Sequence, residues 1–580
     1  MKHADEAKVY KEERKDKMKR SKSLLCLFLV LVMMFSLFAC SKDDTSSNTT
    51  SDNSNAGSSG NSGDSGSSGS SGNQGSGQAA QSGSKEWVSI TVGAGSYLGE
   101  FQAGLNPGEN WAACDAVFDT VFRIDPVTKQ IFSVILKNWY WEDDTTLIME
   151  MRDDVYFSNG DNATAEDLIF SYWNHIERGS NYLNNFGMVW DQTIPRDTYT
   201  AQFKVEKPYP LFVNTTIYLY DKAWSLSLDG GWDSMEWYSP VGSGPYKCVE
   251  YLNDSHMVLQ SRGDDYWYKE AGPIYVDEWV IRYIPDASAV YMALETGDLN
   301  MTYVDSNDYL RYAQSGSNDF TVVSMPTGAV AYWIFSMHPE DECDFWLDKR
   351  VREAVAIGMP WEELGIISQG DLYIKPLSIA PQASPDFINP GQYEYNLDRA
   401  RELMIEAGYG PDNMLKVKTS SMTSGQKLHE AGIYYLSQIY IDATVDLLDF
   451  AACLAAMINP GNTDYGLGWF AVGGNPRFEV RGAVPACADE GGVTYNYIPF
   501  PEFLEKFEIL MRSTDPAEIT AAGKWVQQYM FDEILYIPVW EVTSCVGWTE
   551  GVLTQDQVLN YRTTQNGYQL SRLGMASAWN

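Results

Sequence analysis

The chain has 580 residues, a formal net charge of −37 and 44% hydrophobic content, enough for three or four domains and a sizeable core. With 41 Lys+Arg against 78 Asp+Glu, its acidity rules against a nucleic-acid partner, because phosphates need clustered Lys and Arg. Five scattered His, without HExxH or a paired CxxC, predict neither a metal site nor a cofactor.

Residues 1–22 carry nine basic residues, and an apolar run from Leu24 to Ala39 follows. The run is short for a membrane span, which needs about 20 residues. It fits a secretory signal whose start is Met1 or Met18. Leu37-Phe38-Ala39-Cys40 resembles the bacterial lipobox, with Phe38 bulkier than usual. That resemblance implies cleavage after residue 39 and diacylation of Cys40. The alternative is an uncleaved anchor with Cys40 unmodified. Residues 40–84 are almost entirely Ser, Gly, Asn, Asp, Thr and Gln. Such a segment buries too little to offset its ordering entropy, and reads as a tether about 35–40 Å end to end. Six Cys remain beyond Cys40, and their spacing decides no pairing.

From residue 85 the pattern becomes globular. Val88–Val92 alternates as a strand, and Trp111–Phe122 reads as a helix. Leu147–Met151 is a strand, and Asn159-Gly160-Asp161 a turn. Thr164 is placed to cap a helix, with Glu166 and Asp167 favourable in its first turn. Gly242-Ser243-Gly244-Pro245 makes a tight loop before two strands. Ile281–Ile284 reads as a strand, Asp286-Ala287-Ser288 as a cap, and Ala289–Thr296 as a helix. Asp348–Ile357 and Leu397–Ala407 are helical, the second ending at Gly408. Ala517–Phe531 is a helix with Asp515 as N-cap and Pro516 just inside. Strands alternating with helices, without a short repeat, define a mixed α/β chain.

Five segments, in order, resemble the family 5 extracellular solute-binding proteins of ABC importers. They are Trp141–Tyr172, with Arg152-Asp153-Asp154 and Thr164-Ala165-Glu166-Asp167; Gly242–Tyr246; Asp265-Tyr266-Trp267 with Ile284–Ala289 and Gly297-Asp298-Leu299; Asp348–Ala354; and Tyr395–Tyr409. The resemblance implies an α/β, two-lobed periplasmic-binding-protein-like clamp of type II with an extra inserted subdomain. It places lobe I at 85–325, with the insertion at about 131–236, lobe II at 326–544 and a return to lobe I at 545–580. Hinges are expected near Ala329–Ser336 and Leu535–Val542. Arg152, Asp167 and Arg352 read as scaffold, and Asp143-Asp144 and Asp153-Asp154 as turn chemistry.

Peptide-binding relatives place an aspartate for the peptide amino group after a Gly-Trp pair. Counted from Gly468-Trp469, that position is Val472, which cannot balance an ammonium. Two Arg positions of some relatives fall at Met457 and Gly466. The expected ligand contacts are therefore Trp469, Trp540, Tyr332, Trp333, Trp111, Asn475 and the neutral position Val472. For each aromatic, core packing is the alternative.

The resemblance implies a monomeric, lipid-anchored substrate-binding protein on the outer face of the cytoplasmic membrane. It would capture an oligopeptide or peptide-like solute for an ABC permease and its ATPase subunits. Neutral oligosaccharides, or a sensory role without transport, remain alternatives. No nucleophile elbow, Walker A or paired catalytic constellation stands in the sequence, so no enzymatic activity is expected.

Overall fold

A computed structural model describes residues 88–94, 101, 111–124, 131–178, 187–214, 217–231, 234–304, 306–313, 320–335, 337, 343–382, 384, 386–421, 426–448, 465–472 (backbone), 500–549, 551 and 553–556. The chain divides into a unit ending at Glu86 and a unit from Trp87 to Asn580. Everything described belongs to the second unit. The apolar run, Cys40 and the Ser/Gly-rich segment lie outside the described residues. Among those described, no helix is long and apolar enough to cross a membrane.

Strand β1 (Ser89–Ala94) turns Ile90 and Val92 inward. Helix α1 (Trp111–Val117) stops five residues short of the expected Phe122. Its final carbonyl is claimed from outside: the Gly244 N–H donates to Val117 O at 2.8 Å. Thr120 then leaves in a bridge to Tyr218, so a distant contact overrides helix propagation.

Strands β2 (Leu136–Asp143), β3 (Thr146–Met151) and β4 (Thr200–Lys204) join the two-residue strand Ile194–Pro195 in a separate antiparallel sheet. The β2–β3 turn is held by Asp143, whose carboxylate accepts from the Thr145 N–H at 2.8 Å and the Thr146 hydroxyl at 2.8 Å. Helix α2 (Ala165–Arg178) packs against this sheet. At its start, Asp167 reaches back to accept from the Thr164 N–H at 2.8 Å and the Thr164 hydroxyl at 2.7 Å. Thr164 thus donates its hydroxyl instead of accepting with it. The carboxylate three residues on satisfies the orphan N–H, as in half of a capping box.

The glycine loop leads into the hairpin β5 (Tyr246–Leu252) and β6 (His256–Ser261). Strand β7 (Glu278–Tyr283) follows, and Asp286 caps α3 (Ala287–Glu295) by accepting from the Ala289 N–H. Next come β8 (Met301–Val304) and the long β9 (Phe320–Phe335). Asp348 caps α4 (Lys349–Gly358), and α5 (Trp361–Gln369) follows. Asn396 caps α6 (Leu397–Glu406), and Gly408 takes φ +98° beyond its end, as a helix C-cap requires. Then come β10 (Leu415–Ser421), α7 (Gln426–Gln438), β11 (Ile441–Leu447), β12 (Tyr465–Val472) and α8 (Pro501–Arg512). Asp515 caps α9 (Pro516–Asp532), and β13 (Tyr536–Thr549) closes the described order.

The large sheet runs β11-β10-β12-β9-β13-β8-β1-β7-β6-β5. Its two ends serve different cores. One core gathers Ile90, Phe118, Tyr172, Tyr246, Trp279, Met301 and Trp548. The other gathers Trp333, Trp346, Val355, Leu403, Leu436, Val526 and Trp540. A smaller cluster of Val290, Leu294, Tyr312, Phe320 and Cys545 lies near the junction. The molecule is an α/β clamp of two lobes, with β9 and β13 running from one core into the other. Cys114 and Cys248 are buried thiols without a disulfide; burial pushes Cys248 up to about 12.

The candidate ligand-binding site at the lobe crossing

The crossing is a two-stranded ribbon. In the first lobe, Phe320–Pro326 of β9 pairs with Thr549–Thr543 of β13, and β13 also pairs with β8. In the second lobe, Val330–Phe335 pairs with β12 on one side and with β13 on the other. The ladder shifts register between Pro326 and Val330. Pro326 has no N–H to give, and Gly328 lies within the break, so local chemistry favours an interruption here. A second shift separates Ala331 from Tyr332, opposite Trp540 and Pro538. Again a proline removes a donor. Such irregularities bend a strand pair. The expected hinge begins at Ala329, which falls within the first break.

Five of the anticipated contact residues, Tyr332, Trp333, Trp469, Val472 and Trp540, fall on three neighbouring strands. Trp333 pairs in register with Trp469, Val330 with Val472, and Ala331 with Trp540. For Tyr332, Trp333 and Trp540 the surroundings are those of a core. Tyr332 and Trp333 are 0% exposed, and Trp540 is 2% exposed. The Tyr332 hydroxyl donates to Ile379 O. Trp333 lies against His429, with ring centroids 5.2 Å apart and planes 27° apart, and edge-on to Trp361. Helix α7 brings Gly432 within 3.2 Å of the Trp333 ring, counted from a Cβ built on the glycine. All three side chains belong to the core of the second lobe; α5 and α7 cover Trp333, and the segment at Ile379 holds Tyr332. For Trp469 and Val472 the backbone register is described, and for Trp111 its helix; Asn475 lies outside the described residues.

A cavity of about 50 Å³ lies inside the second lobe, lined by Trp361, Ile379, Tyr393, Gln527, Phe531 and Pro538 among others. That is room for one or two waters, far less than a peptide needs. Its walls are tied by Gln527, which accepts from the Ser378 hydroxyl at 2.9 Å and donates to Asp386 O at 2.6 Å.

The charged signature residues are scaffold. Arg152 pairs with Asp154 at 2.6 Å and Glu270 at 2.8 Å. Arg352 is 1% exposed and donates to the carbonyls of Trp346, Leu347, Glu533 and Ile534. Asp119 is fully buried beneath the glycine loop, where Arg123 pairs with it at 3.1 Å and the Tyr266 hydroxyl and Trp267 indole donate to it. Among the described residues, no group of three His, Cys, Asp or Glu could hold a metal ion.

One charged residue at the crossing was not anticipated. Glu541 pairs with Val330 on the side opposite Val472. It is half-buried, and burial holds its carboxyl above the usual range. The sequence signal was slight: a lone Glu in the apolar run Ile537–Val542.

The model of the "Bacterial extracellular solute-binding proteins, family 5 Middle" matches residues 131–477. The oligopeptide-binding protein AppA of Bacillus subtilis is 25% identical over 353 residues, covering 55% of this chain and 62% of that protein. The solved structure of AppA in complex with a nonapeptide superposes with a TM-score of 0.66 at 17% identity, covering 80% of this chain and 94% of that one. AgaA of A. tumefaciens R10 in complex with agropinic acid gives 0.72 at 16% identity, covering 84% and 98%. The matched family model spans more than half of the chain, and the chain belongs to the family 5 bacterial extracellular solute-binding proteins.

Proposed function

We propose that this protein is the substrate-binding component of an ABC importer and captures a peptide or peptide-like solute between its lobes. The carrying observation is the crossing ribbon: β9 and β13 run through both cores and lose register at Pro326 and again at Pro538. Two lobes joined by a bent ribbon can close on a ligand by a hinge motion, and a concave site between domains buries a ligand well. Peptide as the ligand class draws support from the relatives named as oligopeptide-binding. In this reading Trp469, Val472, Asn475 and Trp111 contribute to the ligand face. Cys40 carries the lipid that holds the protein at the outer face of the cytoplasmic membrane. The permease and ATPase subunits receive the closed, loaded form.

Neutral oligosaccharide is a second reading, favoured by the apolar Val472 where peptide-binding relatives carry an aspartate. Both readings are tested by native mass spectrometry of the purified protein, which weighs any retained ligand, followed by titration with peptides and oligosaccharides. The expected result is a change in Trp fluorescence and a smaller radius of gyration with peptides. A response to oligosaccharides alone replaces the peptide reading. No response to either class overturns the clamp function. Cys40→Ala is expected to release the protein from the membrane fraction; retention there counts against the anchor.

A further inference from the structure

Glu541 differs from the other half-buried carboxylates of the second lobe. Asp348 pairs with Arg350 at 2.6 Å and Glu533 with Lys349 at 3.0 Å. Among the described residues, no cation pairs with Glu541. Its carboxylate is served by one neutral residue, the exposed Gln382, whose side-chain amide donates to Oε1 at 3.3 Å and whose backbone N–H donates as well. The Glu541 backbone N–H is committed to Ile374 O at 3.0 Å. Gln382 is neutral and cannot balance a charge. A carboxylate drawn partly out of water without a counter-ion costs free energy, and a cation brought to it recovers that cost. In such surroundings the attraction is also stronger than in bulk water.

Its position matters equally. Glu541 stands directly beside the first register break, at the last residue of β13 that pairs with the second-lobe part of β9. Across Val330 lies Val472, two strand spacings or about 10 Å away. The row Val472–Val330–Glu541 therefore carries a single charge, at the point where the chain passes between lobes.

We propose that Glu541 receives a cationic nitrogen of the ligand, either a free amino terminus or a basic side chain. This deepens the peptide-binding reading and rests on it. The amine contact comes from the second crossing strand, across Val330 from the apolar Val472.

The test uses the full chain and three synthetic pentapeptide libraries: free amino terminus without Lys or Arg, N-acetylated without Lys or Arg, and N-acetylated with one Lys. Retained peptides are counted by mass spectrometry for the wild type, Glu541→Gln and Glu541→Asp. Melting of each unliganded protein reports folding. The wild type is expected to retain free-amine or Lys-containing peptides over the neutral acetylated set by about tenfold or more. Which of the two sets is retained distinguishes terminus from side chain. Glu541→Gln is expected to abolish the preference without lowering retention of the neutral set, and Glu541→Asp to keep it in part. An unchanged preference in Glu541→Gln overturns the assignment alone. Equal retention of all three sets by the wild type does the same. If the wild type retains none of the libraries, the peptide reading fails and the assignment with it.

Discussion

A Cβ built on Gly242 would lie 2.1 Å from the carbonyl oxygen of Val117. The glycine loop before β5 therefore rests backbone against backbone on the end of α1. Gly244 makes a second such approach, 2.5 Å from Ala116 O. Neither carbonyl can yield as a flexible side chain could. Gly242→Ala is expected to lower first-lobe stability by about 1–3 kcal/mol, read as a drop in the urea midpoint. Gly160→Ala faces open space and strains only its φ of +92°, a cost of about 1 kcal/mol or somewhat more. Equal midpoints for Gly242→Ala and the wild type would show that the contact relaxes freely.

Arg352 holds the second lobe by hydrogen bonding rather than by charge pairing. Its guanidinium donates to Glu533 O at 2.8 Å, to Leu347 O and Ile534 O at 3.2 Å each, and to Trp346 O. The nearest carboxylate oxygen, on Glu533, is 3.9 Å away. Arg352→Met leaves several carbonyls without donors and is expected to destabilise the lobe by about 3 kcal/mol or more. Arg352→Lys should recover little of this, because an ammonium lacks the planar fork. Chemical denaturation followed by second-lobe tryptophan fluorescence measures both; full rescue by Lys would contradict the geometry.

His175 couples first-lobe stability to pH. It is 3% exposed, and its Nε2 accepts from the Tyr218 N–H at 3.2 Å. Burial lowers its pKa to about 3 from 6.5. The unfolded chain thus binds a proton that the folded one refuses between those values, so stability rises with pH in that window. The contribution is complete above 6.5 and is lost as pH falls toward 3. Relative to His175→Asn, the wild type should lose about 2 kcal/mol between pH 7 and pH 5. Parallel stability curves for the two proteins would remove His175 as the coupling group.

Asp167 serves two backbone donors at once. One oxygen accepts from the Thr164 N–H at 2.8 Å, and the other from the Lys222 N–H at 2.9 Å. Asp167→Ala strips the α2 cap and the link to the segment at Lys222, at an expected cost of about 1–3 kcal/mol. Hydrogen exchange at the amides of Thr164 and Lys222 should accelerate together. Acceleration at only one would separate the two roles.

Local chemistry made many elements legible. Asp286, Asp348 and Asp515 start helices because a carboxylate beside free N–H groups needs no distant partner. Gly408 ends α6 for the same kind of local reason. The family resemblance was readable because turns, caps and the glycine loop repeat such short-range solutions. The helix at Trp111 ends before its sequence pattern does because its end is set by Gly244, which arrives from far along the chain.

The aromatic residues divide along the same line. Composition alone marks Tyr332, Trp333 and Trp540 as strong packing groups, but an aromatic face suits a core and a cleft equally. Their burial was decided by the packing of the second-lobe core, with α5 and α7 over Trp333 and Ile379 at Tyr332. Glu541 shows the converse. Sequence supplied a single carboxylate in an apolar run; pairing between β13 and β9 placed it at the lobe crossing beyond reach of any described cation. Caps and turns are decided within a few residues, so they can be read in order. Burial and charge balance depend on which distant strands meet, so only the tertiary structure could assign them.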